Sequence, residues 1–184
     1  MLRRFSTFQS GPGRCSGCRL LALCLALCSP WGLPAQAQEV SEYGMKAVLF
    51  YRLAQFVYWP ADEKAPSPIV LCVVGRNPFG GAMAQLNQGG TNVEVRFAPA
   101  DPGACHLLFI SRSEAGNLDS WLQRADTRRM VTVSDIAGFA RSGGMIELPL
   151  EGERVGLVIN RRAAQLKGFG FNAQLLRLAR VIEP

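Results

Sequence analysis

Histidine is nearly missing: there is one in 184 residues, and that scarcity excludes whole classes of chemistry. A hydrolase of the triad kind needs a nucleophile, a base and an orienting group. The single histidine, His106, stands beside Cys105 at the start of a predicted buried strand. A strand-end histidine with a hydrogen-bonded ring accounts for it without catalysis, and a Cys-His nucleophile would also need Cys105 to be a free thiol. Metal binding is no better supported, because one histidine and no carboxylates clustered at ligand spacing leave nothing that selects zinc or calcium. We expect no metal, no other cofactor and no enzymatic activity. Long apolar runs are missing too, since nothing approaches the ~20 residues that a membrane-spanning helix requires.

Cysteine and positive charge are both scarcer than they look. The chain begins with Arg3, Arg4, Arg14 and Arg19, continues with the apolar run LLALCLALC from Leu20 to Cys28, and reaches the small side chains of Ala35-Gln36-Ala37. This order is that of a secretory signal peptide over residues 1–37, cut after Ala37. Cys24 and Cys28 each follow a leucine, which does not suit a lipid-acceptor cysteine. When the leader goes, four arginines leave and all 14 acidic residues stay, so the formal charge falls from +6 to +2. A nucleic-acid partner would need a lasting basic face, and Arg128-Arg129 and Arg161-Arg162 look like ordinary solvated positions. Cys15 and Cys18 leave as well, which removes a tempting zinc half-site. Only Cys72 and Cys105 remain. Two cysteines in an exported chain most simply form one disulfide, the alternative being two buried thiols. The bridge requires that the strands carrying them lie side by side, with Cα atoms roughly 4.4–6.8 Å apart.

Residues 38–184 fit one domain with one core. IVLCVVG and HLLFIS are continuous apolar runs, as in strands buried on both faces. TNVEVRFA alternates like a half-buried strand. Ala82 to Gln88 suits a short helix, Ser113 to Asp126 a longer one, and RMVTVSD another strand. MIELPL and RVGLVIN flank Glu151-Gly152-Glu153 as a hairpin. At the end, Leu175, Leu178, Ala179 and Ile182 share one face of a predicted helix. The expected class is α/β: a single three-layer domain with a mostly parallel sheet, flanking helices and an antiparallel C-terminal hairpin.

Three stretches stand out. AVLFYRLAQFVYWP, Ala47 to Pro60, is apolar around nearly its whole circumference if read as a helix. Its surplus groups, Phe50, Tyr51, Tyr58 and Trp59 among them, imply a second covered face, met by the C-terminal helix or by another chain. GRNPFGG follows a strand and opens a helix, but it lacks a phosphate-loop lysine and does not match G-x-G-x-x-G, so it reads as a turn. SDIAGFARSGG admits two readings: Phe139 and Arg141 line a ligand pocket at the sheet's edge, or the glycines satisfy backbone angles while Phe139 plugs the core.

Five blocks in order, MKAVLFYRLAQFVYWP, IVLCVVGRNPFG, CHLLFISRSE, VTVSDIAGFARSGGMIEL and FNAQLLRLARVI, carry a resemblance. Across them the chain resembles the YfiR/HmsC family of periplasmic proteins, whose first block usually has Asn-Phe where Arg52-Leu53 stands here. The resemblance implies a periplasmic regulator that binds the periplasmic domain of an inner-membrane diguanylate cyclase and holds it inactive, lowering cyclic di-GMP and biofilm formation. It also implies a disulfide between Cys72 and Cys105. A second cysteine pair found near the hairpin in some members has no counterpart. Partner contacts are then expected among surplus apolar groups of the first and last helices, Phe50, Tyr58, Leu175 and Ile182, with a homodimer as a further use of such a surface. The alternative is a periplasmic sensor that captures a small ligand near Phe139 and Arg141 and has no cyclase partner.

Overall fold

The computed structural model describes residues 41–184 apart from Glu63, Gly90 and Thr91, so the leader and its cut after Ala37 lie outside the described residues. Helix α1 (Glu42–Leu53) starts where the Ser41 hydroxyl accepts the Gly44 N–H at 3.1 Å, an N-cap that satisfies one of the helix's orphan donors. It is followed by β1 (Val57–Tyr58), β2 (Ile69–Val74), α2 (Ala82–Leu86), β3 (Val93–Phe97), β4 (Leu107–Ile110), α3 (Leu118–Thr127) and β5 (Val131–Ser134). The remainder comprises β6 (Ile146–Glu147), β7 (Leu150–Glu151), β8 (Arg154–Val155), β9 (Val158–Asn160), α4 (Arg161–Leu166), β10 (Gly170–Phe171), α5 (Ala173–Leu178) and β11 (Arg180–Ile182).

Among the described residues seven strands form one sheet in the order β11-β9-β6-β5-β4-β2-β3. The ladders from β3 to β6 are parallel, β6 pairs with β9 antiparallel, and β11 lies parallel to β9. The apolar runs are continuous because the central strands are covered on both sides. Leu71, Val73, Leu107, Phe109, Val131 and Val133 face one core, which α1, α2, α4 and α5 close. Val70, Cys72, Val74, Leu108 and Ile110 face the other, closed by α3. In the first core Phe79 packs 4.7 Å from Phe109 and 6.1 Å from Phe50, centroid to centroid. Burying each ring contributes about 1.5–3 kcal/mol. Cys72 and Cys105 form the expected disulfide, with a Cα separation of 5.7 Å, on neighbouring segments of β2 and the approach to β4.

Two sequence expectations change. AVLFYRLAQFVYWP is not one helix: α1 stops at Leu53, and Val57–Tyr58 pairs antiparallel with β10. A β-branched and aromatic run before Pro60 disfavours helix and accepts an extended partner. The apolar surplus is therefore divided between two elements, with Phe50 and Tyr51 in the core and Trp59 edge-on to Phe169 at 5.8 Å. The C-terminal helix is also shorter than its periodicity predicts. Ala179 is extended, and Arg180–Ile182 continues as a strand on the free edge of β9, so Ile182 does not share a helical face with Leu175. The edge ladder outweighs local helix preference.

Candidate functional site

From β2 the chain passes outward to β3, then returns across β2 to form β4. This reversal makes the loops after β2 and β4 diverge at their carboxyl ends, which is where open α/β sheets leave a crevice for ligands. Such a crevice exists, with a volume of about 350 Å³, lined by Tyr43, Arg76, Asn77, Pro78, Ser111, Arg112 and Ser113. Its walls are tied together. The Arg76 backbone N–H donates to Ser113 Oγ at 2.8 Å, and Asn77 Oδ1 accepts the Phe79 N–H at 2.9 Å while the Phe79 ring anchors the loop in the core. Gly75 has φ +80°, and a Cβ there would stand 2.5 Å from Ser113 Oγ, so both backbone angle and loop spacing require glycine.

Beneath the crevice lies a charged cluster that sequence reasoning did not single out. Lys46 is fully buried on α1 and donates to Asp135 Oδ2 at 2.9 Å and to Glu42, one turn earlier. Arg112 Nε stands 3.1 Å from the same Asp135 oxygen and donates to the Asp135 carbonyl at 3.1 Å, and the Tyr43 hydroxyl donates to Asp135 Oδ2 at 3.1 Å. Burial first, and then the adjacent Asp135 carboxylate, raise the Tyr43 phenol above its ordinary value. Asp135 Oδ1 is buried with no hydrogen-bond partner among the described residues. The cluster clamps α1 to the ends of β4 and β5. The sequence hints were a lone lysine in the apolar face of MKAVLFY and an aspartate closing VTVS. Neither hint names its partner.

The Phe139 and Arg141 expectation divides. Phe139 is fully buried in the second core and lines no cleft, so the plug reading holds for it. Its ring lies over Gly144, where a Cβ would fall 2.1 Å from a ring carbon. The loop is held by Glu147, whose carboxylate accepts the Gly138 and Ala140 N–H groups at 3.0 Å each, and by Asn160 Nδ2, which donates to the Ala140 carbonyl at 2.7 Å. Arg141 does line a cleft, of about 530 Å³, at the amino end of β5 and β6 with Leu122, Met130, Met145 and Lys167.

Among the expected contact residues, Phe50 and Leu175 are core and offer no surface. Tyr58 is 58% exposed, and it shares a groove of about 150 Å³ with Ala164, Phe169 and Leu176. Ile182 is half-buried. Leu166 and Leu178, on α4 and α5, are 75% and 79% exposed, and only Leu178 had drawn notice, as a core-facing helix position. His106 keeps its structural reading, since its Nδ1 accepts the Val70 N–H at 2.9 Å and its ring meets Trp59 edge-on. Among the described residues there is no group of His, Cys, Asp and Glu placed to hold a metal, and no helix long and apolar enough to cross a membrane.

A family model described as YfiR/HmsC-like matches residues 43–180. The chain is also similar to the crystal structure of a conserved domain protein from Vibrio cholerae O1 biovar El Tor. The TM-score is 0.51 at 11% identity, over 76% of this chain and 59% of that one. At that identity the likeness speaks for the fold, and the chain spans little more than half the length of its neighbour. No curated protein matches.

Proposed function

Because this chain belongs to the YfiR/HmsC-like family, we propose that it is an exported, non-catalytic regulator of the periplasm. It binds the periplasmic domain of an inner-membrane diguanylate cyclase and holds that enzyme inactive, lowering cyclic di-GMP and biofilm formation. Residues 1–37 serve as the signal peptide, and residues 38–184 form the regulatory domain. The observation that carries this reading is the family match across residues 43–180, which takes in both cores and the Lys46–Asp135 pair. The Cys72–Cys105 disulfide supports an oxidising compartment.

The mechanism is a population shift. A repressor that binds only the inactive arrangement of its target favours that arrangement by its differential affinity, and moving a 1:99 equilibrium to 99:1 takes about 5.5 kcal/mol. Tyr58 is the contact residue of this reading, and Leu178, Leu166 and half-buried Ile182 are further apolar groups that α5, α4 and β11 leave uncovered. The test is to delete the gene and measure cellular cyclic di-GMP, together with binding of the purified protein to the outer domain of a cyclase from the same cell. A rise in the nucleotide and saturable binding weakened by Tyr58→Asp are expected. Unchanged nucleotide with no binding to any such domain overturns the proposal.

A further inference from the structure

The crevice above β2 and β4 is lined by two cationic side chains, Arg76 and Arg112. Lys46 is spent on Asp135 and Glu42, and Arg112 is engaged by the same two carboxylates. Arg76 is different: its guanidinium makes no hydrogen bond or ion pair among the described residues, while its backbone is fixed by Ser113. Counting Lys46, Arg76 and Arg112 against Glu42, Asp135 and Glu114, whose carboxylate lies beside Gly75, leaves the charges balanced, so the preference for an anion rests on the unengaged Arg76 guanidinium. Guanidinium groups match the paired oxygens of carboxylates and phosphates. The volume of about 350 Å³ falls at the small end of organic-ligand sites, with room for more than a bare ion. Tyr43 and Pro78 give it an apolar wall.

We propose that this crevice binds a small organic oxyanion, a carboxylate or phosphate monoester. Its charged head is held by Arg76 with Arg112 beside it, and its body lies against Tyr43 and Pro78. The strand-order reversal creates the opening, the glycine at position 75 lets the two loops approach, and the buried cluster keeps Arg112 in place. The site is argued from the crevice alone, so it neither requires the regulatory reading nor falls with it.

Isothermal titration of the purified protein with phenyl phosphate, benzoate, inorganic phosphate and benzyl alcohol tests it. We expect one-to-one binding of phenyl phosphate or benzoate, the tighter of the two identifying the head group, weaker binding of inorganic phosphate, and none of the neutral alcohol. Arg76→Ala should weaken the anion roughly tenfold or more without moving the melting temperature of the free protein. Arg141→Ala, in the other cleft, should leave the affinity unchanged. No anion binding, or binding that Arg76→Ala spares or that Arg141→Ala reduces equally, overturns the assignment.

Discussion

Replacing Lys46 with Met probes the clamp that seats α1 on the sheet. The Lys46 side chain is 0% exposed and that of Asp135 1%, so the substitution removes a buried ammonium and strands a buried carboxylate. Deleting one partner of a buried pair costs about 3–5 kcal/mol, mostly because the remaining charge is left uncompensated. Here the Tyr43 hydroxyl and the half-exposed Arg112 remain on Asp135, each at 3.1 Å. The lower end of the range, about 3 kcal/mol, is therefore expected. For a domain of this size that lowers the melting temperature by roughly 6–12 °C. Urea unfolding followed by tryptophan fluorescence measures it, and Asp135→Leu provides the cycle. The double variant Lys46→Met/Asp135→Leu should be more stable than Lys46→Met alone, because it removes the stranded charge and leaves an apolar pair. A loss below about 1 kcal/mol for Lys46→Met, or costs that simply add in the double variant, would refute the reasoning.

The disulfide closes a loop with a sequence separation of 33, so Cys72→Ser should cost about 3–4 kcal/mol. Equal denaturation midpoints for the variant and the unreduced parent would show that the bridge contributes nothing. Burial and the Asp135 carboxylate place the folded-state value of the Tyr43 phenol above its unfolded value. The associated stability is thus fully present below about pH 10 and is lost as pH rises through the raised value. Urea midpoints measured from pH 8 to 11 should fall more steeply for the parent than for Tyr43→Phe, and parallel curves would show that the phenol is not coupled to folding.

Much of this fold was legible because its signals are local. IVLCVVG, HLLFIS and RMVTVSD are continuous apolar or β-branched runs, and a strand covered on both faces needs nothing more to declare itself. The loop at Phe139 was half legible: its glycines and lone aromatic allowed a pocket or a plug, and the choice depended on the Gly144 surface against which the ring packs. Helix ends were less legible. Leu53 and Leu178 end their helices because strands elsewhere in the chain, β10 after the first helix and β9 before the last, present free backbone groups to Val57–Tyr58 and Arg180–Ile182. Period alone carries no information about such a competitor.

What the amino-acid order determined by itself was the kind of chain this is: the α/β alternation, the C-terminal hairpin, the pair of cysteines at positions 72 and 105, and the five blocks that place it in its family. These follow from composition and from neighbours a few residues apart. Tertiary structure alone decided the strand order, and with it the crevice at Arg76 and Ser113. It also decided the meeting of Lys46 with Asp135, whose positions are 89 residues apart. A buried charge finds its partner through space, and the cost of leaving it unpaired selects that contact only once the sheet has brought α1 and the end of β5 together.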